Sequence, residues 1–319
     1  MEPDSSGGYE SLIEQFRTIE LAAESGASPD DLLALLHKLH DDNEFTFELP
    51  LVSKGNMIYR ARRVTSRPNL ISEISYPPAH VVKVNGRLNC PGEVLFYGSI
   101  GGLAACLYEC GAQLGDWFAL SRWELLTEIP MNHMGFSQEL LHSLDPIRKF
   151  PDYLKKSANP KSDIIRAWQG EIFTRKIQEG EEHKYNLSIA LAKFAFKPHV
   201  QPLLGGKFFP GVIYPAVSIN LTGDNIAILP SIVDQAIALR EVLFAKVTGI
   251  ADNVDLRDPM DMVVNLDFFD RSLDHSCGGW LIWGADKSSL EEHLTRLGQR
   301  RQAAFTEIQH IPSHKTESE

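Results

Sequence analysis

The chain has 319 residues, 43% hydrophobic and 23% charged, enough for one large domain or two modest ones with a real buried core. That composition excludes disorder as the main state, and no apolar run reaches the ~18–20 uncharged residues of a membrane-spanning helix. The net charge of −11 argues against general nucleic-acid or anionic-membrane binding.

The acidic, polar start is the reverse of a secretory signal, so a cytoplasmic chain is expected, with the first eight residues disordered. Tyr9 to Glu24 places Leu12, Ile13, Phe16, Ile19 and Ala23 at helical spacing. A second helix opens at Ser28-Pro29-Asp30-Asp31, where serine caps, proline takes the first helical position and Asp31 closes a capping box. It continues through Leu32, Leu33, Leu35, Leu36 and Leu39. A helical hairpin over 9–40 cannot bury both faces alone, so it must dock on the main body or on another copy of the chain, which leaves a homo-oligomer open. His37 and His40 share a helix face and read as surface histidines, because a zinc site needs further ligands nearby.

From about residue 50 the texture becomes short strands and turns. Asn56–Arg62 alternates as a strand, residues 67–92 are loop-rich, and Val94–Tyr97 reads as a short strand ended by Gly98-Ser99. Gly101 and Gly102 open a helix from Leu103 to Cys110, closed by Gly111. Residues 115–130 read as strand and 136–175 as helix, broken near Pro146, Pro151 and Pro160. Further on come a helix over Tyr185–Phe196 and strands at Gly211–Pro215 and Asn225–Leu229. A helix follows over Asp234–Lys246, then strands at Met262–Phe269 and Trp280–Trp283, and a last helix from Asp286. This irregular alternation indicates an α+β fold rather than a doubly wound sheet. The segments divide as an N-terminal helical extension (1–50), a central domain (51–240), and C-terminal strands and helix packed on that domain (241–319).

Charge is unevenly spread. Between Lys54 and Gly92 seven basic residues (Lys54, Arg60, Arg62, Arg63, Arg67, Lys83, Arg87) face one acid, Glu73, giving +6 locally and leaving −17 for the remainder. Such an island suits a small anionic ligand better than a long polyanion, and it is equally readable as a solvated face. The four cysteines are too few for a disulfide scaffold, and no C-x-x-C or H-E-x-x-H spacing suggests a metal. There is no dinucleotide-binding G-x-G-x-x-G after a strand, no P-loop and no G-x-S-x-G nucleophile elbow.

Three residues stand out chemically. Arg87, between Gly86 and a compact Leu-Asn-Cys-Pro-Gly turn, is either a rigidly held fork suited to phosphate or a solvated loop arginine. Tyr97, at a strand end, presents a flat ring and polar tip to a cleft or fills the core. Glu109 is the one ionisable carboxylate in the small, apolar helix 103–112. A buried, isolated carboxylate marks a site where charge has work to do; the alternative is that Glu109 points outward on a polar stripe with Gln113.

Gly86-Arg87-x-Asn89-x-Pro91-Gly92, then Val94–Ser99, then Ala104–Glu109, in this order, resembles the core signature of the RES domain family, named for an arginine, a glutamate and a serine. Tyr59–Arg62 is similar to that family's first strand, and Gly211–Pro215 with Asp224–Pro230 to its later strand pair, so the resemblance spans roughly 55–235. It implies an ADP-ribosyltransferase-like fold that binds NAD and breaks its bond to nicotinamide, as toxins of bacterial toxin–antitoxin pairs do. NAD would be the substrate, no metal would be needed, and an antitoxin protein would be the partner. Arg87, Tyr97 and Glu109 would be the active-site arginine, tyrosine and glutamate, with Arg60 the first-strand arginine that helps hold the dinucleotide. The chain departs from the family at the serine, where Ala216 follows Tyr214-Pro215. In a continuing strand Ser218 would face the same side as Ala216 but ~6.6 Å further on, too far to substitute.

The residue types suit the chemistry. Cleavage at the nicotinamide–ribose bond passes through an oxocarbenium-like state, which a carboxylate beside the ribose stabilises. ADP-ribosyl transfer to a macromolecule uses the same bond cleavage, and a catalytically weak NAD-binding or scaffolding protein is the rival from another class.

Overall fold

The computed structural model describes residues 6–43, 51–100, 102–145, 150, 152–155, 160–178, 180–196, 209–219, 223–250, 264–276 and 278–284. The expected last helix from Asp286 lies outside them. Among the described residues no helix is long and apolar enough to cross a membrane.

Two N-terminal helices, α1 (Ser6–Glu24) and α2 (Pro29–Asn43), form the expected hairpin. Helix α1 begins earlier than anticipated, taking in Ser6 to Gly8, which were expected to be disordered. The capping box is present: Asp31 N–H donates to Ser28 Oγ (3.2 Å) and Ser28 N–H to Asp31 Oδ2 (3.2 Å), reciprocally satisfying two helix-end donors. The hairpin docks on the body of its own chain. Leu12, Phe16, Leu32 and Leu36 join one buried cluster with Trp168, Ile172, Leu191 and Phe194, and Phe16 stacks on Trp168 at 4.3 Å. His37 and His40 are half-buried rather than on the surface, because both rings pack on Phe194 (5.1 and 5.5 Å).

The body is an α+β fold around a mixed, largely antiparallel sheet. Its strands are β2 (Met57–Arg63), β3 (Phe96–Ile100), β4 (Trp117–Leu125), β6 (Asn132–His133), β7 (Gly211–Pro215), β8 (Asp224–Ile228), β9 (Ile237–Ile250), β10 (Val264–His275) and β11 (Leu281–Trp283). They lie in the order β11-β10-β9-β4-β2-β3-β8-β7-β6, while β1 (Leu51–Val52) and β5 (Ile129–Pro130) pair separately. Helices α4 (Gln138–Leu144), α5 (Asp152–Lys155), α6 (Pro160–Thr174) and α7 (Asn186–Phe196) cover the sheet. Helix α6 starts at Pro160, one of the anticipated breaks; Pro146 and Pro151 lie outside the described residues. Helix α3 (Leu103–Glu109) follows β3, and α8 (Pro230–Ala236) precedes β9. Residues 240 and 241 sit within β9, so the central and C-terminal segments share one sheet.

Two expectations need correction. The helix predicted over Asp234–Lys246 stops at Ala236, and the rest is strand β9. The Ala- and Leu-rich run has helix-forming residues, yet Ile237, Leu239, Glu241, Leu243, Ala245 and Val247 are buried at every second position. Strands β4 and β10 pair with it on both sides, so tertiary pairing overrides propensity. Its one buried acid, Glu241, is met by Arg271 at 2.6 Å and by Arg122 at 3.4 Å. The strand read as ending at Tyr97 instead begins at Phe96 and runs through Gly98 and Ser99 to Ile100. Gly98 belongs inside it because a Cβ there would lie 2.5 Å from Ile58 Cγ2 and 2.9 Å from the Tyr59 carbonyl.

Candidate active site

The sheet is weakly joined at one place. Strand β2 pairs with β4 along its whole length, from Met57↔Glu124 to Arg63↔Phe118, and β3 pairs with β8 from Phe96↔Ile228 to Ile100↔Asp224. Between β2 and β3 the register holds a single pair, Tyr59↔Ser99. Where the two strands part, Arg60 on β2 donates to one carbonyl of β3 and to one in the turn that follows β2. Its Nη1 donates to the Tyr97 carbonyl and its Nε to the Ile74 carbonyl (3.1 Å), with the guanidinium over the Phe96 ring. Desolvation pushes the Arg60 pKa down to about 10.

A cleft of about 280 Å³ opens at this divergence, and Arg60, Arg87, Tyr97 and Glu109 all line it. The volume falls just below the roughly 300–1,000 Å³ common for ligand pockets. The four residues singled out in the sequence are therefore neighbours around one hollow.

Each is positioned by its local chain. The Tyr97 hydroxyl donates to Asn89 Oδ1 (2.6 Å) and accepts from the Leu88 N–H (3.1 Å). The polar tip expected to face the cleft is thus turned into the 86–89 turn, and the ring forms the wall. Burial raises the Tyr97 pKa, keeping the hydroxyl a neutral donor. Gly86 allows this closeness, since a Cβ there would sit 2.4 Å from Asn89 Oδ1. Arg87, on the clamped turn, is half-buried. Its Nη1 donates to the carbonyls of Phe173 (2.9 Å) and Arg175 (3.4 Å), and its guanidinium lies over the Tyr185 ring at 5.2 Å. A guanidinium carries five N–H donors, so Nε and Nη2, which have no protein partner among the described residues, remain for an anion.

Glu109 ends α3 at the mouth and is exposed, as the outward-pointing alternative has it, while still lining the cleft. Its carboxylate is held by Ser218, whose Oγ–H donates to Oε1 at 2.6 Å and whose N–H lies 3.3 Å away. The spacing drawn between Ser218 and Ala216 assumed a continuing strand, and that premise does not hold. The chain does not continue as a strand after Pro215; Val217–Ile219 is a 3₁₀ turn against α3, so strand spacing does not apply. Ala216 is fully buried in a small cluster with Ala105 and Tyr108.

Three lining residues were not recognised as functional from sequence: Tyr185, Tyr214 and Asn225. Tyr214 and Asn225 are cross-strand partners on β7 and β8, 4% and 5% exposed. A polar asparagine in the buried register of an apolar strand was the available signal for Asn225; nothing distinguished Tyr185. Cys106 and Cys110 also line the cleft, with Sγ–H donors to the carbonyls of Tyr59 (3.0 Å) and Ala61 (3.4 Å). Burial raises both thiol pKa values, which disfavours a nucleophilic thiolate. No group of three or more metal-ligating side chains occurs among the described residues.

No protein-family model matches this chain, and no curated protein is similar to it.

Proposed function

We propose that the chain is a cytoplasmic, ADP-ribosyltransferase-like enzyme of the RES type that consumes NAD by cleaving its nicotinamide–ribose bond. The observation that carries this reading is the convergence of Arg60, Arg87, Tyr97 and Glu109 on one cleft. The free donors of Arg87 suit the pyrophosphate, and the aromatic walls of Tyr97 and Tyr185 suit a flat ring. Glu109, exposed at the mouth and oriented by Ser218, suits a ribose on which positive charge develops as neutral nicotinamide leaves.

In the hydrolytic reaction the C–N bond breaks with its electron pair going to nicotinamide. Water then forms the new C–O bond and loses a proton, giving ADP-ribose. With phosphate as the acceptor, the product is the corresponding ADP-ribose phosphate ester. Binding energy from Arg87 holds the dinucleotide while positive charge develops on the ribose, so metal chemistry is not required by this route.

The test is to incubate the purified protein with NAD alone and then with added phosphate, and to follow nicotinamide. Release without an acceptor protein is expected. Nicotinamide release only when a macromolecule is present and becomes labelled would assign ADP-ribosyl transfer instead, and no release in any mixture would refute the enzyme reading. The Glu109→Gln variant is expected to stay folded, because the side chain is exposed, and to lose at least tenfold in turnover, about 1.4 kcal/mol of barrier.

A further inference from the structure

The floor of the cleft holds two polar groups with nothing to bond. Asn225 and Tyr214 are each more than nine-tenths buried and both line the hollow. Among the described residues neither the Asn225 carboxamide nor the Tyr214 hydroxyl has a hydrogen-bond partner. Buried polar groups are nearly always paired, and one left open at a cleft calls for an explanation. Their polar atoms are not sealed from the hollow, so a group that enters with complementary donors and acceptors finds both open to it.

The two belong to one small receptor. The register Tyr214↔Asn225 puts them side by side across β7 and β8, with Ser99 opposite Asn225 on β3. Ser99 is already satisfied, its Oγ donating to the Asp224 carbonyl at 2.9 Å. The open groups are thus a carboxamide, which both donates and accepts, and a phenol, which burial holds in its neutral form. Neither carries charge. Tyr97 contributes an aromatic wall to the same hollow, and the one carboxylate, Glu109, is at the exposed mouth.

We infer that Asn225, with Tyr214 beside it, reads the neutral carboxamide of the nicotinamide ring and makes the site selective against the nicotinate form of the dinucleotide. An amide opposite an amide satisfies one donor and one acceptor on each side, whereas a carboxylate offers no donor and leaves the Asn225 carbonyl oxygen unmet; Arg60 and Arg87 line the same cleft, so the discrimination rests on hydrogen bonding and not on charge. This deepens the NAD reading of the cleft and rests on it. It also orders the substrate: the ring goes to the floor and the ribose stops at Glu109.

Two measurements separate this inference from its parent. The first compares kcat/KM for NAD and for its deamidated analogue in wild type, Asn225→Ala and Asn225→Asp. Wild type is expected to prefer NAD by roughly tenfold or more, since a site built to hydrogen-bond a group rejects the analogue that cannot. Asn225→Ala should lose roughly tenfold on NAD and far less on the analogue, with a melting temperature equal to or above that of wild type. Asn225→Asp should lose the preference as well. An equal loss on both substrates would assign Asn225 to the shared ribose and overturn the inference, as would unchanged efficiency on NAD.

The second measurement needs no turnover: saturation-transfer NMR with nicotinamide alone and with nicotinate alone. Nicotinamide binding that is lost in Asn225→Ala upholds the subsite even if the wild-type protein proves unable to cleave NAD, in which case the parent reading fails by itself. Failure of nicotinamide to bind wild type, or equal binding of nicotinate, removes the subsite.

Discussion

The two wings of the sheet are built differently. On one side β2, β4, β9 and β10 run long and stay paired along their lengths, with Ile58, Phe118, Ala119, Val242 and Ala245 fully buried. On the other side β3, β8 and β7 are five residues each. The wings share the single pair Tyr59↔Ser99, and the candidate site lies at that seam. A continuous ladder leaves no room for a ligand, because every main-chain group is consumed and side chains fill both faces. Where the ladder lapses, carbonyls, an arginine and a turn come together around an opening. The long wing supplies rigidity and the seam supplies the opening.

The contrast can be broken most severely by alkali. The buried groups with raised pKa values, Cys106, Tyr97 and Tyr214, all line the seam. Between their ordinary values of 9.0 and 10.0 and their higher folded values, the unfolded chain has lost protons that the folded chain keeps. Folding stability from these groups is therefore complete below pH 9 and falls as pH rises. Arg60, with its pKa lowered to about 10, opposes this as a single group. The melting temperature is expected to drop steadily from pH 9 to 11, and a flat profile would contradict this account of the seam.

Next in size is Arg60→Met, which strips the latch between the wings. Two carbonyls lose charge-assisted donors, so a loss of about 3 kcal/mol in denaturant unfolding is expected. An unchanged midpoint would mean that the seam holds without it. A smaller effect should follow from Ser218→Ala, which leaves Glu109 untethered. Loss of one hydrogen bond, about 1 kcal/mol, corresponds to roughly fivefold in kcat with little change in KM; wild-type kcat would deny Ser218 its positioning role. The smallest is Thr248→Ala on the long wing. As an exposed side chain in β9, it should move stability by less than about 0.5 kcal/mol and leave nicotinamide release untouched, and a strong loss of release would erase the contrast.

Much of this was legible in the sequence, and the exceptions share a cause. The α1–α2 hairpin, the 211–215 strand and the Leu103–Glu109 helix were readable because local signals set them: a capping box, alternation, flanking glycines. Arg87, Tyr97 and Glu109 each had two readings in the turns and breaks around them, and the family resemblance picked them out together; the structure brings all three to one cleft. Strand β9 was not, because its residues are good helix formers and its strand state is imposed by β4 and β10, which are distant along the chain or follow it. The Arg60 latch and the Ser218 contact were hidden for a similar reason. One depends on two strands parting, the other on a 3₁₀ turn whose geometry differs from strand spacing. Asn225 sat within an anticipated strand, but its lack of a partner exists only in three dimensions.

The hydroxyl of Tyr97 has a further bearing. One side chain forms a wall of the hollow and also ties down the turn that carries Arg87. Whatever presses on the ring is transmitted to the turn that positions the guanidinium, so under the proposed function occupancy of the hollow and the grip on a pyrophosphate would be mechanically one variable. On that reading a variant selected to admit a bulkier ring would also loosen the turn that holds Arg87, and the two traits would have to evolve together.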